Sequence, residues 1–525
     1  MGKLIRYATA VIIFVIVGLM RMSDIESDNT LRRIAREVHG VKTEPPTPLV
    51  LSADKQRKVA EMMRHAWNNY KLYAWGKDEL KPMSKRAHLT SISRGGDLGT
   101  TIVDSMDTLY LMGMNDEFQE GRDWIANHFH INDIDRELSV FETTVHFVGG
   151  FLSCYALTGD TVFRDKAVEV ADALLPAFDT PTGIPYPLIN PSNKALRPYY
   201  WAGGNSILSE VGALHMEFTY LSEITGNNIY REKVARIRDL LHNVQKPDGL
   251  YPNFINPRNG LWGQMHISLG ALGDSFYEYL LKAWLVTNNE DEQARIMFDE
   301  AMQPALEKML RTSKSGLSYL VEIRWGRLYE EKMDHLACFA GGMFALASTT
   351  LQNSLSDRYM DVAKNLTQTC HEAYDRADTK LSPETFRFSG EVEARALKYS
   401  EKMYLMRPDT FESYFILWRL TKDQKYRDWG WEAVQALEKY CRVEGGYTGL
   451  QNVYQSKPLG DDVQQSWFLA QTLKYLYLLF SDDSLLPLDE WVFNTEAHPF
   501  PIKDKNPLYR AAIKPAIAIH EDNSL

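Results

Sequence analysis

Two kinds of helical pattern alternate along this chain. One begins at a Gly-, Pro- or Asp-rich break and becomes apolar nearly all round, rich in Leu, Phe and Tyr. Such stretches lie near 100–113, 142–157, 205–225, 274–288, 339–351, 408–421 and 463–481. The other is charged and carries a single apolar stripe, near 55–70, 116–130, 163–177, 229–245, 291–312, 356–376 and 424–441. Within 165–175, for example, the apolar residues recur at helical spacing on one face. A helix that is apolar on every side must be buried, whereas a striped one lies on a surface. Seven of each in alternation predict an all-α fold, an (αα)7 barrel of inner and outer helices, as one domain over residues 55–502. An open helical solenoid is the alternative, but it requires polar caps at its ends and the pattern offers none. Strand signals are few and fall in connections, at 183–186 and 491–493.

Ahead of this body, residues 7–20 are uninterruptedly apolar, with Lys3 and Arg6 before them and Arg21 after. A leading positive charge predicts a cytoplasmic N-terminus. The expectation is a type II signal anchor: cytoplasmic tail 1–6, transmembrane segment 7–20, then a polar luminal stem over 21–54 punctuated by Pro45-Pro46-Thr47-Pro48. A cleaved signal peptide is the alternative, although no small-x-small site comes after it. Residues 503–525 read as a C-terminal tail with little signal.

Composition narrows the class. With 45% hydrophobic, 12% aromatic and 24% charged residues in 525, disorder, collagen-like repeats and a polytopic membrane protein are excluded. The 58 Lys and Arg against 69 Asp and Glu give a net charge of -11, without a basic cluster, which argues against nucleic acid as a partner. Four cysteines are too few for a disulfide scaffold and lack zinc spacing.

Candidate chemistry lies at the starts of the apolar helices. Glu142, Asp274 and Asp409 each open one, with Glu278 a turn after Asp274 and Glu412 a turn after Asp409. Acids are common in a first turn because the helix dipole favours them. In an alternating ring, however, all inner helices point the same way, so these carboxylates converge on one mouth. Crowded carboxylates raise one another's pKa, leaving one as acid while another stays a base, and they also suit a hard cation such as Ca2+. Paired acid and base carboxylates are the machinery of glycoside hydrolysis. Tyr199, Trp201 and Trp262 would suit stacking on sugars, although most aromatics in such a domain are core.

Several longer motifs agree. Phe141-Glu142 with Gly149-Gly150, the run Gly273-Asp274-Ser275-Phe276-Tyr277-Glu278-Tyr279-Leu280, Ser382-Pro383-Glu384, Arg407-Pro408, and Phe493-Asn494-Thr495-Glu496-Ala497-His498-Pro499 occur in this order. Over about 55–502 the chain resembles the class I α1,2-mannosidases, glycosyl hydrolase family 47, and most of all their Golgi members. The resemblance implies an (αα)7 barrel plugged by a C-terminal hairpin. It also implies an inverting, Ca2+-dependent exo-hydrolase that trims terminal α1,2-linked mannose from high-mannose N-glycans. By the same resemblance Glu142 matches the proton donor, Asp274 and Glu384 two further catalytic carboxylates, and Asp409 the general base. Thr495 matches the direct calcium ligand, and Glu278, Arg407, Glu412 and Glu496 match groups that bind sugar or calcium-bound water. Cys338 and Cys370 match the family's disulfide, leaving Cys154 and Cys441 as buried thiols. Asn365-Leu366-Thr367 is a glycosylation sequon. The resemblance and the anchor together imply a Golgi membrane location, with the endoplasmic reticulum as alternative.

Three positions depart from the family pattern. His146 stands where Arg is usual, one turn beyond Glu142, and its charge is expected to depend on pH. Asp409 replaces a Glu, shortening the base by one methylene, and Gln471 replaces a common Glu. These changes leave a second expectation open: a lectin-like, catalytically weak mannose-glycan-binding protein.

Overall fold

The structure, a computed structural model, describes residues 47–88 and 97–512. The expected cytoplasmic tail, membrane segment and most of the stem lie outside the described residues. Contacts divide the chain at Asp54/Lys55, and the helical body is the unit from Lys55 onward.

Among the described residues the alternation takes form as fourteen long helices. They are α1 (Thr47–Ala74), α2 (Thr100–Leu111), α3 (Asn115–His128), α4 (Val140–Thr158), α5 (Thr161–Leu174), α6 (His215–Thr225) and α7 (Ile229–Asn243). The remainder are α8 (Asp274–Val286), α9 (Glu292–Lys308), α10 (Ala340–Thr350), α11 (Ser356–Asp375), α12 (Asp409–Thr421), α13 (Lys425–Tyr440) and α14 (Phe468–Phe480). The even-numbered helices are the buried ones. Every residue of α8 from Ser275 to Val286 is buried, whereas α7 buries Tyr230, Val234, Ile237, Arg238 and Leu241, a single stripe. Helix α4 is long and apolar enough to cross a membrane, yet 83% of that stretch is buried inside the body, so its apolarity is that of a core helix.

Packing follows the sequence order. Helix α2 packs on α4, α4 on α6, α6 on α8, α8 on α10, α10 on α12, α12 on α14, and α14 returns to α2. From α3 to α13 each striped helix packs on the buried helix just before it. The fold is mainly helical, as the pattern requires.

Some boundaries differ from expectation. The apolar stretch from 205 begins as a strand, Ser206–Ile207, paired with Phe254–Ile255, and a short turn, Leu208–Gly212, precedes α6. The stretch from 463 becomes helical only at Phe468, and α9 ends at Lys308 before strand Leu310–Thr312. Residues 183–186 are not a strand; the neighbouring Leu188–Ile189 is, between Leu138–Ser139 and Leu196–Arg197. Strands of two or three residues are too short to display a period of two, so apolar content alone misplaces them. Strands Trp491–Phe493 and Pro499–Pro501 pair antiparallel, with Val492 opposite Phe500, and pack against α8 and α4 respectively. Beyond them the chain to Ala512 stays packed: Lys503 N–H bonds to Val286 O at 3.0 Å and Ala512 N–H to Glu223 O at 2.9 Å. Cys338 and Cys370 form a disulfide between the turn before α10 and helix α11, and Cys154 and Cys441 are buried free thiols.

Candidate active site

One cavity of about 630 Å³ opens where α4, α8 and α12 begin, and the apex of the Trp491–Pro501 hairpin reaches it. Its lining includes Glu142, Asp274, Glu278, Asp409, Glu412, Thr495 and Glu496, all expected at a single mouth, together with Arg407. Local sequence explains how each arrives. Ser139 caps α4, its Oγ accepting from Glu142 N–H at 3.2 Å, which fixes Glu142 in the first turn. At Gly273 a Cβ would lie 2.2 Å from Ser268 O, so only glycine lets the chain enter α8 and present Asp274. Asp274 Oδ1 then accepts from Ser275 N–H at 2.8 Å. Asp409 opens α12 behind Pro408 and accepts from His335 Nδ1 at 3.0 Å, while His335 Nε2 meets Tyr374 OH at 2.8 Å. Glu384 does not itself line the cavity; Arg407, which does, donates to its Oε1 at 2.7 Å and lies over the Trp467 ring.

The departures all fall in this cavity. His146 and Gln471 sit in π-helical segments, Thr143–Val148 and Phe468–Thr472, which break the regular turn of α4 and α14 at the pocket. His146 is 2% exposed, with Nδ1 2.8 Å from Asp104 Oδ2, 3.5 Å from Glu496 Oε2, and Nε2 3.2 Å from Glu142 Oε2. Burial opposes its charge, but Asp104 and Glu496 outweigh burial and hold the imidazolium well above the ordinary histidine range. The carboxylates around His146 thus favour its charged form, and the expected dependence of that charge on pH is moved upward from the ordinary histidine range. Gln471 lines the cavity and donates from Nε2 to Glu496 Oε2.

Burial dominates the acids around these groups. It pushes Glu210 up to about 8, with Glu142 adding, and Glu79 also to about 8. Asp274 rises to about 7 by burial, reinforced by Glu278 and Asp409. Burial takes Glu412 to about 7 despite the Lys282 charge, and Glu496 to about 8 despite His146. Lys282 is the buried counter-cation here, donating to Glu278 Oε1 and, at 3.1 Å, to Glu412 Oε1. These acids keep protons near neutrality or accept a cation in their place. Thr495, Glu496 and the neighbouring carboxylates offer oxygen donors, a set that suits calcium rather than a softer metal.

The sequence pattern did not single out Glu79, His88, Glu210, Gln465 or Trp467, all of which line the cavity, nor His335, Asp104 and Lys282 behind it. Lys282, the one basic residue in the otherwise mostly apolar run 276–286 and four residues after Glu278, is the one with a legible signal, since a charge in a buried helix needs a partner.

Comparison with known proteins agrees with this site. The glycosyl hydrolase family 47 model matches residues 62–502. The chain is 74% identical over 463 residues to mannosyl-oligosaccharide alpha-1,2-mannosidase IA of Spodoptera frugiperda, covering 88% of this chain and 69% of that protein. It is 52% identical to human mannosyl-oligosaccharide 1,2-alpha-mannosidase IB, covering 86% and 70%. The solved alpha-1,2-mannosidase from Trichoderma reesei superposes with a TM-score of 0.79 at 27% identity, covering 86% of this chain and 99% of that one.

Proposed function

This chain belongs to glycosyl hydrolase family 47, and from that premise we propose that it is an inverting exo-α1,2-mannosidase trimming terminal mannose from high-mannose N-glycans. The observation that carries this reading is the joint presence of Glu142 and Asp409 in one cavity, on helices three places apart round a cycle of seven. Inversion needs an acid and a base about 6.5–9.5 Å apart, with room for a water between base and sugar. Glu142, with His146 Nε2 3.2 Å from its Oε2, gives its proton to the glycosidic oxygen. Asp409, oriented by His335, accepts a proton from the attacking water. Arg407, braced by Glu384 and Trp467, holds substrate oxygens at the same wall. Asp274, raised to about 7, supplies a neutral carboxyl that can donate to sugar hydroxyls.

Calcium is the proposed cofactor; the oxygens of Thr495 would hold it, with Glu496 and the other pocket acids around it. When bound it supplies a hard positive charge that orients oxygen ligands. The cycle of buried helices is read as a closed (αα)7 barrel plugged by the hairpin. The N-terminal anchor over 7–20 and a Golgi, luminal location are proposed with it, as is a glycan on Asn365, which is exposed on α11.

The test is incubation of the protein with high-mannose oligosaccharide and calcium, alongside Glu142→Gln. Release of free mannose by the parent and its loss by at least about a hundredfold in the variant, the scale of removing a general acid, is expected. Tight glycan binding with no release by the parent would instead establish the lectin-like alternative.

A further inference from the structure

The tip of the hairpin is held by charges that take no part in the proposed chemistry. Asp107 on α2, Lys474 on α14 and His498 on the hairpin are each fully buried. Asp107 Oδ2 accepts from His498 Nδ1 at 2.7 Å, and Asp107 Oδ1 lies 2.8 Å from Lys474 Nζ. Lys474 Nζ also donates to Ala497 O at 2.7 Å, so Lys474 and the Asp107–His498 bond hold the chain just beyond Thr495 and Glu496. The other side of the apex is tied by Asn494. Its Nδ2 donates to Val145 O at 3.1 Å and Glu217 Oε1 at 2.9 Å, and its Oδ1 accepts from the N–H groups of Glu496 and His498 at 2.8 and 2.9 Å. Helix α4 approaches so closely that a Cβ at Gly149 would lie 2.5 Å from Asn494 Nδ2. Thr495 N–H meets Tyr279 OH at a long 3.4 Å, so its placement is dictated chiefly by its flanks.

Taking the Asp107 carboxylate and the Lys474 ammonium out of water is expensive, and a buried ionic cluster adds little net stability over a well-packed apolar one. Its return here is geometric: it fixes where two apex residues stand relative to the inner helices. We propose that Asp107, Lys474 and His498 are positioning residues that set the calcium affinity of Thr495, an inference resting on the assignment of calcium to Thr495. Supporting groups around a metal ligand act in this way by removing alternative orientations before the ion arrives.

Calcium titration calorimetry on the full chain tests this with His498→Leu and His498→Asn, alongside melting temperature in chelator. The asparagine amide keeps an N–H near the position of Nδ1, whereas leucine keeps only bulk. Expected is calcium binding weakened about tenfold or more in the leucine variant, the scale of a lost supporting shell, with most of the affinity kept by asparagine. Should the leucine variant not fold, Asp107→Asn, which still accepts from His498 but loses its charge opposite Lys474, is expected to weaken binding in the same direction. Wild-type calcium affinity in the variants, with melting lowered equally with and without calcium, would overturn the proposal and leave the triad purely structural. A parent chain that binds no calcium would instead remove the assignment of calcium to Thr495, and the triad's role with it.

Discussion

Replacing Lys282 by methionine removes the cation that Glu278 and Glu412 share while keeping most of the side chain's volume. Its side chain is 3% exposed, and Nζ stands 3.1 Å from Glu412 Oε1 with Glu278 Oε1 also bonded. At an effective dielectric of about 20, a pair at that separation attracts by about 5 kcal/mol. Part of this offsets the burial of the lysine itself, so breaking the cluster from the cationic side is expected to cost ~3–5 kcal/mol. The loss must depend on pH. Burial already lifts Glu412 to about 7 with Lys282 in place, and without that cation Glu412 stays protonated through a wider range. At pH 5 the variant therefore buries Glu412 as a neutral carboxyl and is only mildly destabilised. At pH 7.5 the unfolded chain releases protons that the native variant keeps, and the full loss is felt. Urea unfolding in chelator at the two pH values measures this directly. A loss below about 1 kcal/mol at pH 7.5, well under the range for a broken buried pair, or an equal loss at both pH values, would refute the assignment of Lys282 as counter-charge to the acids of the pocket.

Without calcium the parent protein is expected to lose stability steadily between pH 5 and 8. Glu79, Glu210 and Glu496 hold protons up to about 8, and Asp274 and Glu412 up to about 7, whereas the unfolded chain releases them near the ordinary carboxylate value. His146 and His498, raised by neighbouring carboxylates, add stability that is complete below the unfolded histidine pKa and is lost as pH climbs through their folded values, in the same direction. A urea midpoint that rises over this interval would contradict the reading. Asp409→Glu restores one methylene toward the cavity and is expected to raise kcat roughly ten- to a hundredfold, the scale on which about 1 Å of misplacement acts. Unchanged steady-state turnover would remove Asp409 as the base.

The helical alternation and the acids at helix starts were legible because both are local. A buried helix shows itself by apolar residues on all sides, and a first-turn acid is fixed by its place behind a break such as Gly273 or Pro408. From these, and the order of the motifs, convergence of Glu142, Asp274 and Asp409 could be anticipated. The ends of the apolar stretches could not, because strands such as Ser206–Ile207 and Leu310–Thr312 owe their existence to partners outside their own segment.

What the sequence settled by itself is the kind of object and the kind of chemistry: paired helices, carboxylates at one end, and a hairpin motif carrying Thr495. Tertiary structure alone decided the charges. His146 has Glu142 one turn away in the chain, but Asp104 from α2 and Glu496 from the hairpin, which favour its charged form against burial, come beside it only on folding. The same holds for Glu210, whose proton is retained because folding buries it beside Glu142, and for Lys474, whose partner Asp107 lies on α2. Hydrophobic periodicity is written residue by residue, but the energy of a charge depends on the dielectric and on ions brought within a few ångströms by folding, and these exist only once the helices have closed on one another.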